Sequence, residues 1–267
     1  SHGFGEYKTL WRKLHARLRI DEKWHFVGVS EAVREHLVSQ SCGFTKRNTT
    51  AIANAFDISA LEDCLLPRDE ARIQLGLPPK ARIIGAIGRL VKVKGHIHLI
   101  RAFAAVAARY PDAHLAIIGN GKEDSTLRAE IERLHQSQRI HLLGWRPRAK
   151  QYVRAFDIWT MPSLSEGFGL ALLEGMCGKL PIIGSDIPAM APMIRAAGGQ
   201  CVPPADEQAL SLALTAYLDM TPAALRNLGE QAYDYAKANH DIKAYRNAYL
   251  DLVRTCLGDK VPPSCFP

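Results

Sequence analysis

Hydrophobic and polar positions change rhythm along this chain. From about residue 80, short apolar runs that end in glycine alternate with stretches of helical spacing. The run ARIIGAIG (81–88) predicts a buried strand, HIHLIRAFAAVAARY (96–110) a helix and HLAIIGNG (114–121) a second strand. An amphipathic segment at 126–136 is followed by RIHLLG (139–144) and a helix near 148–155. Then come the strand DIWTMP (157–162), a helix over about 169–177 and the strand LPIIGS (180–185). Strands apolar on both faces and alternating with helices predict a parallel sheet covered on both sides. The fold class is therefore α/β, a Rossmann-like doubly wound parallel sheet with ligands expected at the carboxyl ends of its strands.

The front of the chain has a different pattern. KWHFVGVSEAVREHLVSQSCG (23–43) predicts a strand, a serine cap, a helix and a glycine stop, and TTAIANAFD (49–57) predicts another short strand entering a turn. Together they read as a partial second α/β domain. Pro67 and Pro78-Pro79 mark the passage into the main domain. Helices are predicted over 222–239 and 241–257, followed by a loose tail.

Composition narrows the class. The 267 residues are 47% hydrophobic and 23% charged, the profile of an ordinary globular protein. No apolar run reaches the roughly 20 residues of a membrane helix. No secretory signal is legible at the start, and cytoplasmic localisation is expected. The net charge of +7 implies a solvated basic surface, an anionic ligand, an anionic membrane or nucleic acid. KTLWRKLHARLR (8–19) joins an apolar stripe to a cationic face, which suits packing on its own domain or peripheral contact with anionic headgroups. Low aromatic content and the lack of a recognised module argue against nucleic acid. Cys42, Cys64, Cys177, Cys201, Cys256 and Cys265 form no CxxC and no zinc spacing, so reduced thiols and no metal are expected. The ten histidines show no metal or triad pattern; His96 is the least ordinary, because it adjoins the loop at 88–95.

Four strand-end segments carry the candidate chemistry. IGRLVKVKG (87–95) puts Arg89 and Lys94 in a loop bounded by Gly88 and Gly95. Arginine grips phosphate oxygens as a fork and lysine acts as a point charge, so the pair suits a diphosphate. A solvated loop with incidental charges is the alternative. IIGNG (117–121), with Gly119, ends another strand, although tight strand-to-helix turns favour glycine in any case. In HLLGWRPR (141–148), Gly144 permits a tight turn, and the Trp145-Arg146 backbone can face a flat base; Trp145 otherwise reads as a half-buried packing aromatic.

SEGFGLALLEG (165–175) is the more specific segment. Glu166, Gly167, Phe168 and Gly169 form a turn into a helix, whose unpaired N–H groups and positive dipole end seat a phosphate. Glu174 lies roughly 7–8 Å further along the axis. There a carboxylate accepts two hydrogen bonds from a ribose diol, while Glu166 in the turn accepts from sugar hydroxyls. A glutamate near a helix amino end also serves as a capping partner. For Glu174 that reading is weaker, because an unpaired buried carboxylate is costly. A glycosidase pair fits less well, since those carboxyls face one bond at about 5–10 Å.

In this order and spacing, GRLVKVKG, IIGNG, LLGW, MPSLSEGFGLALLEG and PIIGSD resemble the retaining glycosyltransferases of family 4, which have the GT-B fold. The resemblance covers about residues 23–256. VGVSEAVREHL and AIANAFD are similar to the end of that family's N-terminal domain, with Ala55-Phe56 in place of Gly-Val. The resemblance implies that Arg89 and Lys94 bind the donor diphosphate, Glu174 the ribose and Glu166 the transferred sugar, with Arg89, Lys94 and Glu166 as the catalytic set. Gly88, Gly119, Gly144, Arg146, Gly167, Phe168, Gly169 and Leu170 complete the implied donor site, 168–170 through backbone N–H groups. It implies hexosyl transfer without a metal or cofactor. The donor would be a nucleoside-diphosphate sugar, UDP favoured over GDP. A glycan or lipid-linked acceptor would fit bacterial surface polysaccharide or lipopolysaccharide assembly.

On the same resemblance, 1–65 is a remnant of the acceptor-side domain with its linker. Residues 66–240 form the donor-binding domain, and 241–267 a C-terminal helix and tail. Family members are longer, so the chain is expected to be a donor-binding half that binds nucleotide and transfers sugar poorly. Two other functions are weighed against transfer. A sugar-nucleotide epimerase of the same fold needs acid and base residues that this stretch lacks. A non-catalytic nucleotide-binding module is disfavoured by the joint presence of Arg89, Lys94, Glu166 and Glu174.

Overall fold

The computed structural model describes residues 24–40 and 42–257, together with Trp11, 16–18 and Ile20. The predicted tail, and the cationic segment 8–19 apart from Trp11 and 16–18, lie outside the described residues. The described residues fall into two units. One takes the chain up to Asp57, Glu166–Phe168 and the chain from Asn239 on; the other is Ile58–Ser165 with Gly169–Ala238.

In the first unit, β1 (Phe26–Gly28) and β2 (Thr49–Ala51) pair in parallel, with Phe26 opposite Thr49. Between them lies α1 (Glu31–Ser39). Ser30 caps it as predicted, its hydroxyl accepting from the Val33 N–H at 3.2 Å. The helix stops at Gln40, whose N–H closes back on the Leu37 and Val38 carbonyls, and Gly43 (φ +90°) turns the chain only afterwards. The departure at Ala55-Phe56 is accommodated by pairing. The Phe56 N–H donates to the His240 carbonyl and the Phe56 carbonyl accepts from Ile242, at the entry to the last helix, Ile242–Leu257.

The second unit holds a six-stranded, all-parallel sheet: β3 (Arg82–Ile87), β4 (Ala113–Ile118), β5 (Ile140–Leu142), β6 (Ile158–Met161), β7 (Ile182–Ser185) and β8 (Gln200–Val202). Its spatial order is β5-β4-β3-β6-β7-β8. Counted from β3, that is 3-2-1-4-5-6, the doubly wound order whose topological switch point lies between the first and fourth strands, here β3 and β6. β6 and β7 are buried at every position, as strands covered on both faces must be. The α/β class with its parallel sheet is the one the pattern predicts.

Eight helices of this unit are α2 (Ile58–Cys64), α3 (Arg68–Leu75), α4 (His96–Ala107), α5 (Asp124–Arg133), α6 (Leu170–Cys177), α7 (Ala191–Ala196), α8 (Glu207–Leu218) and α9 (Pro222–Asn239). Leu99, Ile100 and Phe103 of α4 join Leu127 of α5 and Leu210 and Leu214 of α8 in one core cluster with Ile84 and Leu115. The helix predicted near 148–155 is a 3-10 helix, Ala149–Ala155, burying Tyr152, Val153 and Ala155. α2, α3, α7, α8 and β8 lie where the pattern predicts no element. In α8 the run EQALSLALTAYL is apolar nearly all round, so no single face marks it; β8 has only three residues. Among the described residues no helix is long and apolar enough to cross a membrane.

Candidate functional site

The strand tips on either side of the switch point are joined through their backbones. Beyond the end of β3, the Gly88 N–H donates to the Ile118 carbonyl at 3.0 Å, and the Leu90 N–H to that of Asn120 at 2.8 Å. The Gly119 N–H in turn donates to the Gly144 carbonyl at 2.9 Å. Only glycine fits at 119, because a Cβ there would lie 1.9 Å from the Gly88 carbonyl oxygen. The chain then makes a 3-10 turn over Lys92–Lys94 and enters α4 at Gly95, which sits at φ +67°. A Cβ on Gly95 would lie 2.0 Å from the Pro162 carbonyl oxygen. The Leu164 N–H donates to the Val93 carbonyl at 2.7 Å. The loop after β3 therefore lies directly against the loop after β6, as a switch-point site requires.

α6 opens beside this junction. Its N-cap, Gly169, has φ +96° and offers no side-chain cap; its carbonyl accepts from the Leu172 N–H at 2.8 Å, and the N–H groups of Leu170 and Ala171 with the positive dipole end are left to other partners. Leu170 begins the helix with its side chain 43% exposed. Glu174, five positions in, keeps some exposure, yet burial raises its carboxyl above the ordinary range; the charges of Lys150 and Lys94 pull the other way and do not prevail. Its carboxyl has no hydrogen-bond partner among the described residues. Lys94, predicted for the diphosphate, and Glu174, predicted for the ribose, thus lie close enough to act on each other.

His96, the first residue of α4, is buried beside them. Burial, and secondarily the Lys94 charge, lower its imidazole to about 4, with the Arg89 main chain opposing weakly. Among the described residues neither ring nitrogen has a hydrogen bond of regular geometry. Nε2 stands 3.6 Å, and Lys94 Cδ 3.8 Å, from where a Cβ on Gly88 would be, so the missing side chain leaves them a common space.

The structure thus brings Gly88, Lys94, Gly119, Gly144, Gly169 and Glu174 to one end of the second unit. Arg89 is exposed in the same loop, and Arg146 is half-buried past Gly144. Glu166, Gly167 and Phe168 group with the first unit. There Ser30, besides capping α1, donates its hydroxyl to the Gly167 carbonyl at 2.7 Å. Phe168 is buried edge-on against the His240 ring, 5.5 Å between centroids, which leaves only its backbone for a ligand. Trp145 corrects an expectation: it is 65% exposed, not a half-buried packing residue, because Gly144 (φ +71°) turns the chain with nothing packed over it. Lys150 is the residue that sequence reasoning missed. It is one cation in the polar run RPRAK, and only the fold brings it to Glu174.

Comparison with known proteins adds a family to this geometry. Residues 67–235 match the family described as "Glycosyl transferases group 1". A D-inositol 3-phosphate glycosyltransferase of Corynebacterium glutamicum (strain R) is 32% identical over 179 residues, covering 63% of this chain and 42% of the relative. The lipopolysaccharide core biosynthesis mannosyltransferase LpcC of Rhizobium leguminosarum bv. viciae is 28% identical over 190 residues, covering 69% and 53%. The chain thus spans about half the length of these curated relatives. Among solved structures, Anabaena HepE in complex with UDP and glucose superposes with a TM-score of 0.77 at 20% identity, covering 91% of this chain and 67% of that one. The α/β architecture with its six parallel strands matches such GT-B glycosyltransferase neighbours.

Proposed function

The chain belongs to the group 1 glycosyl transferases, and we propose that within them it is a retaining, family 4-type hexosyltransferase whose second unit holds the nucleoside-diphosphate sugar. One observation carries this reading. The loop after β3 that holds Lys94 lies against the loop after β6, where the Leu164 N–H donates to the Val93 carbonyl at 2.7 Å, and the helix that follows carries Glu174, a carboxyl without a hydrogen-bond partner among the described residues.

A diphosphate seated at the amino end of α6 meets unpaired N–H groups, the Lys94 ammonium and the Arg89 guanidinium. Those groups stabilise the charge that develops on the leaving nucleotide, the electrostatic form of catalysis, without a metal. Glu174 accepts from the ribose hydroxyls and Glu166 from the transferred sugar. The acceptor hydroxyl attacks from the face the nucleotide leaves, which retains the anomeric configuration. Gly88, Gly119 and Gly144 let the backbone approach the ligand, and Arg146 flanks the base. UDP is the favoured nucleotide, as HepE of the same fold was solved with UDP and glucose. A glycan or lipid-linked acceptor in lipopolysaccharide or surface polysaccharide assembly accords with the similarity to LpcC. Work at the cytoplasmic face of a membrane belongs to the same proposal.

Calorimetric titration with UDP, GDP and ADP tests the reading. UDP is expected to bind, and Glu174→Ala and Lys94→Ala each to weaken it about tenfold or more, the size of a lost charged hydrogen bond. If none of the three nucleotides binds, the donor site is misassigned. Proton NMR of the glycoside formed by the whole protein reads the stereochemistry, and an inverted anomer would reject retention.

A further inference from the structure

The parallel sheet has a second end. Arg68, Lys80, Arg82, Arg154, Lys179 and Arg226 line a cavity of about 700 Å³ where β3, β6 and β7 begin. Every lining residue belongs to the second unit. β3 alone, at roughly 3.3 Å per residue, puts about 17–20 Å between this cavity and the Gly88 loop. The donor site therefore does not extend into it.

The charge balance inside the cavity is lopsided. Its one lining carboxylate, Asp157, is already engaged from beneath. Asp157 Oδ2 accepts from Arg72 at 2.8 Å and from the Ile83 N–H at 2.7 Å, and Oδ1 accepts from Arg68 at 3.1 Å. Arg72 is fully buried and gives its remaining donors to the Ala155, Pro79 and Ala81 carbonyls. Asp157 is thus neutralised by a guanidinium that does not face the cavity's ligand space. Of the six lining cations, Arg82 forks onto Asp112 and Lys179 pairs with Glu230. Lys80, Arg154 and Arg226 have no carboxylate partner among the described residues. Phe156, Leu180, Pro181 and Leu225 supply an apolar wall.

We propose that this cavity is a second anion-binding site, separate from the donor site, that takes a phosphate- or diphosphate-bearing molecule with an apolar portion. Its volume is that of a small-molecule site. Two arginines and a lysine without counter-ions match phosphate oxygens by fork and by point charge. The apolar wall covers the part of the ligand that carries no charge. A free phosphorylated metabolite and a phospholipid headgroup share this chemistry, and the test separates them.

The full chain is titrated with inorganic pyrophosphate while saturating UDP occupies the donor site, and separately with monomeric dihexanoyl phosphatidate and with phosphatidate-containing vesicles. Pyrophosphate is expected to bind in the presence of UDP. The double variant Arg154→Gln/Arg226→Gln is expected to weaken it about tenfold or more, as loss of charge-assisted phosphate contacts does, with UDP affinity unchanged. Arg154→Lys/Arg226→Lys, which keeps the charge, retains most of the binding and guards against a folding defect. Tighter binding of monomeric phosphatidate than of pyrophosphate assigns the apolar wall to the ligand, and preference for vesicles assigns a membrane headgroup as its source. The proposal is overturned if pyrophosphate and phosphatidate both fail to bind with UDP present, or if the Gln double variant binds them as the unaltered chain does. Failure of UDP itself to bind rejects the donor-site reading alone, because the comparison of Gln variant with parent is then made without it.

Discussion

At the scale of single residues, the candidate site holds groups that are poor for stability and suited to a ligand. Glu174 is the clearest. Burial raises its carboxyl despite two nearby cations, so the folded chain holds that proton more tightly than the unfolded chain does. Stability from this group therefore falls as pH rises past the ordinary carboxylate range. Glu174→Gln should raise Tm at pH 8, give little gain at pH 4, and still weaken UDP binding. A lower Tm at pH 8 would mean that Lys94 and Lys150 outweigh desolvation. His96 has the opposite sign. Its imidazole is lowered to about 4, so the folded form excludes a proton that the unfolded chain accepts near 6.5. Its contribution is fully present above pH 6.5 and is lost as pH falls toward 4, amounting to on the order of 3 kcal/mol. His96→Leu should flatten the acid limb of a denaturation-against-pH curve. His114, His141 and His240 are lowered by burial too and keep part of the slope. An unchanged acid limb would show that burial does not lower the folded imidazole. The two residues differ in how far sequence discloses them. The seven residues that separate Glu166 from Glu174 across a glycine turn are a legible signal. Burial of His96 is not, since it depends on what packs over the loop; position beside Lys94 was its only mark.

At the scale of elements, legibility followed length and one-sidedness. β3, β4, β6 and β7 are predominantly apolar runs of four to six residues, and Gly88 and Gly119 stand just past two of them. A buried parallel strand leaves that trace because both of its faces are covered. α8 has no polar face to reveal a helical period, and β8 is too short to leave any pattern. The contact between the loops after β3 and β6 was likewise out of reach, because it is made by backbone atoms 71 positions apart in the Leu164–Val93 hydrogen bond. Gly95 is the hinge of that contact. Gly95→Ala forces a methyl toward the Pro162 carbonyl at a left-handed φ, and should cost about 2–4 kcal/mol from strain and overpacking. Chemical denaturation measures that loss. At a temperature where the variant is still folded, UDP binding should be lost as well, because the Lys94 loop can no longer sit against Pro162. Binding equal to the parent's in the folded variant would show that the loop junction does not shape the site.

At the scale of the whole molecule, sequence disclosed the α/β class but not the order of the strands. Adjacency in the 3-2-1-4-5-6 sheet is decided by which helices cover which face, and neither periodicity nor glycine placement records it. That order is what puts the loops of β3 and β6 side by side and the cationic cavity at the opposite end. The net charge of +7 was legible from composition, and its consequence is kinetic. Arg89, Lys94 and Arg146 lie in the connections past the carboxyl ends of β3 and β5 and Lys150 in the 3-10 helix that follows, so an incoming dianion meets a positive field before it meets any contact. Raising salt from 0.1 M to 1 M shrinks the screening length from about 10 Å to about 3 Å. That removes attraction acting over the approach and leaves contacts inside about 3 Å largely intact. Stopped-flow mixing with a fluorescent UDP analogue should therefore show kon falling about tenfold or more while koff stays within about threefold, the pattern of electrostatic steering. If the salt effect falls on koff instead, the nucleotide is held by exposed ion pairs, and the half-buried Glu174 with its neighbouring Lys94 is not the centre of the site.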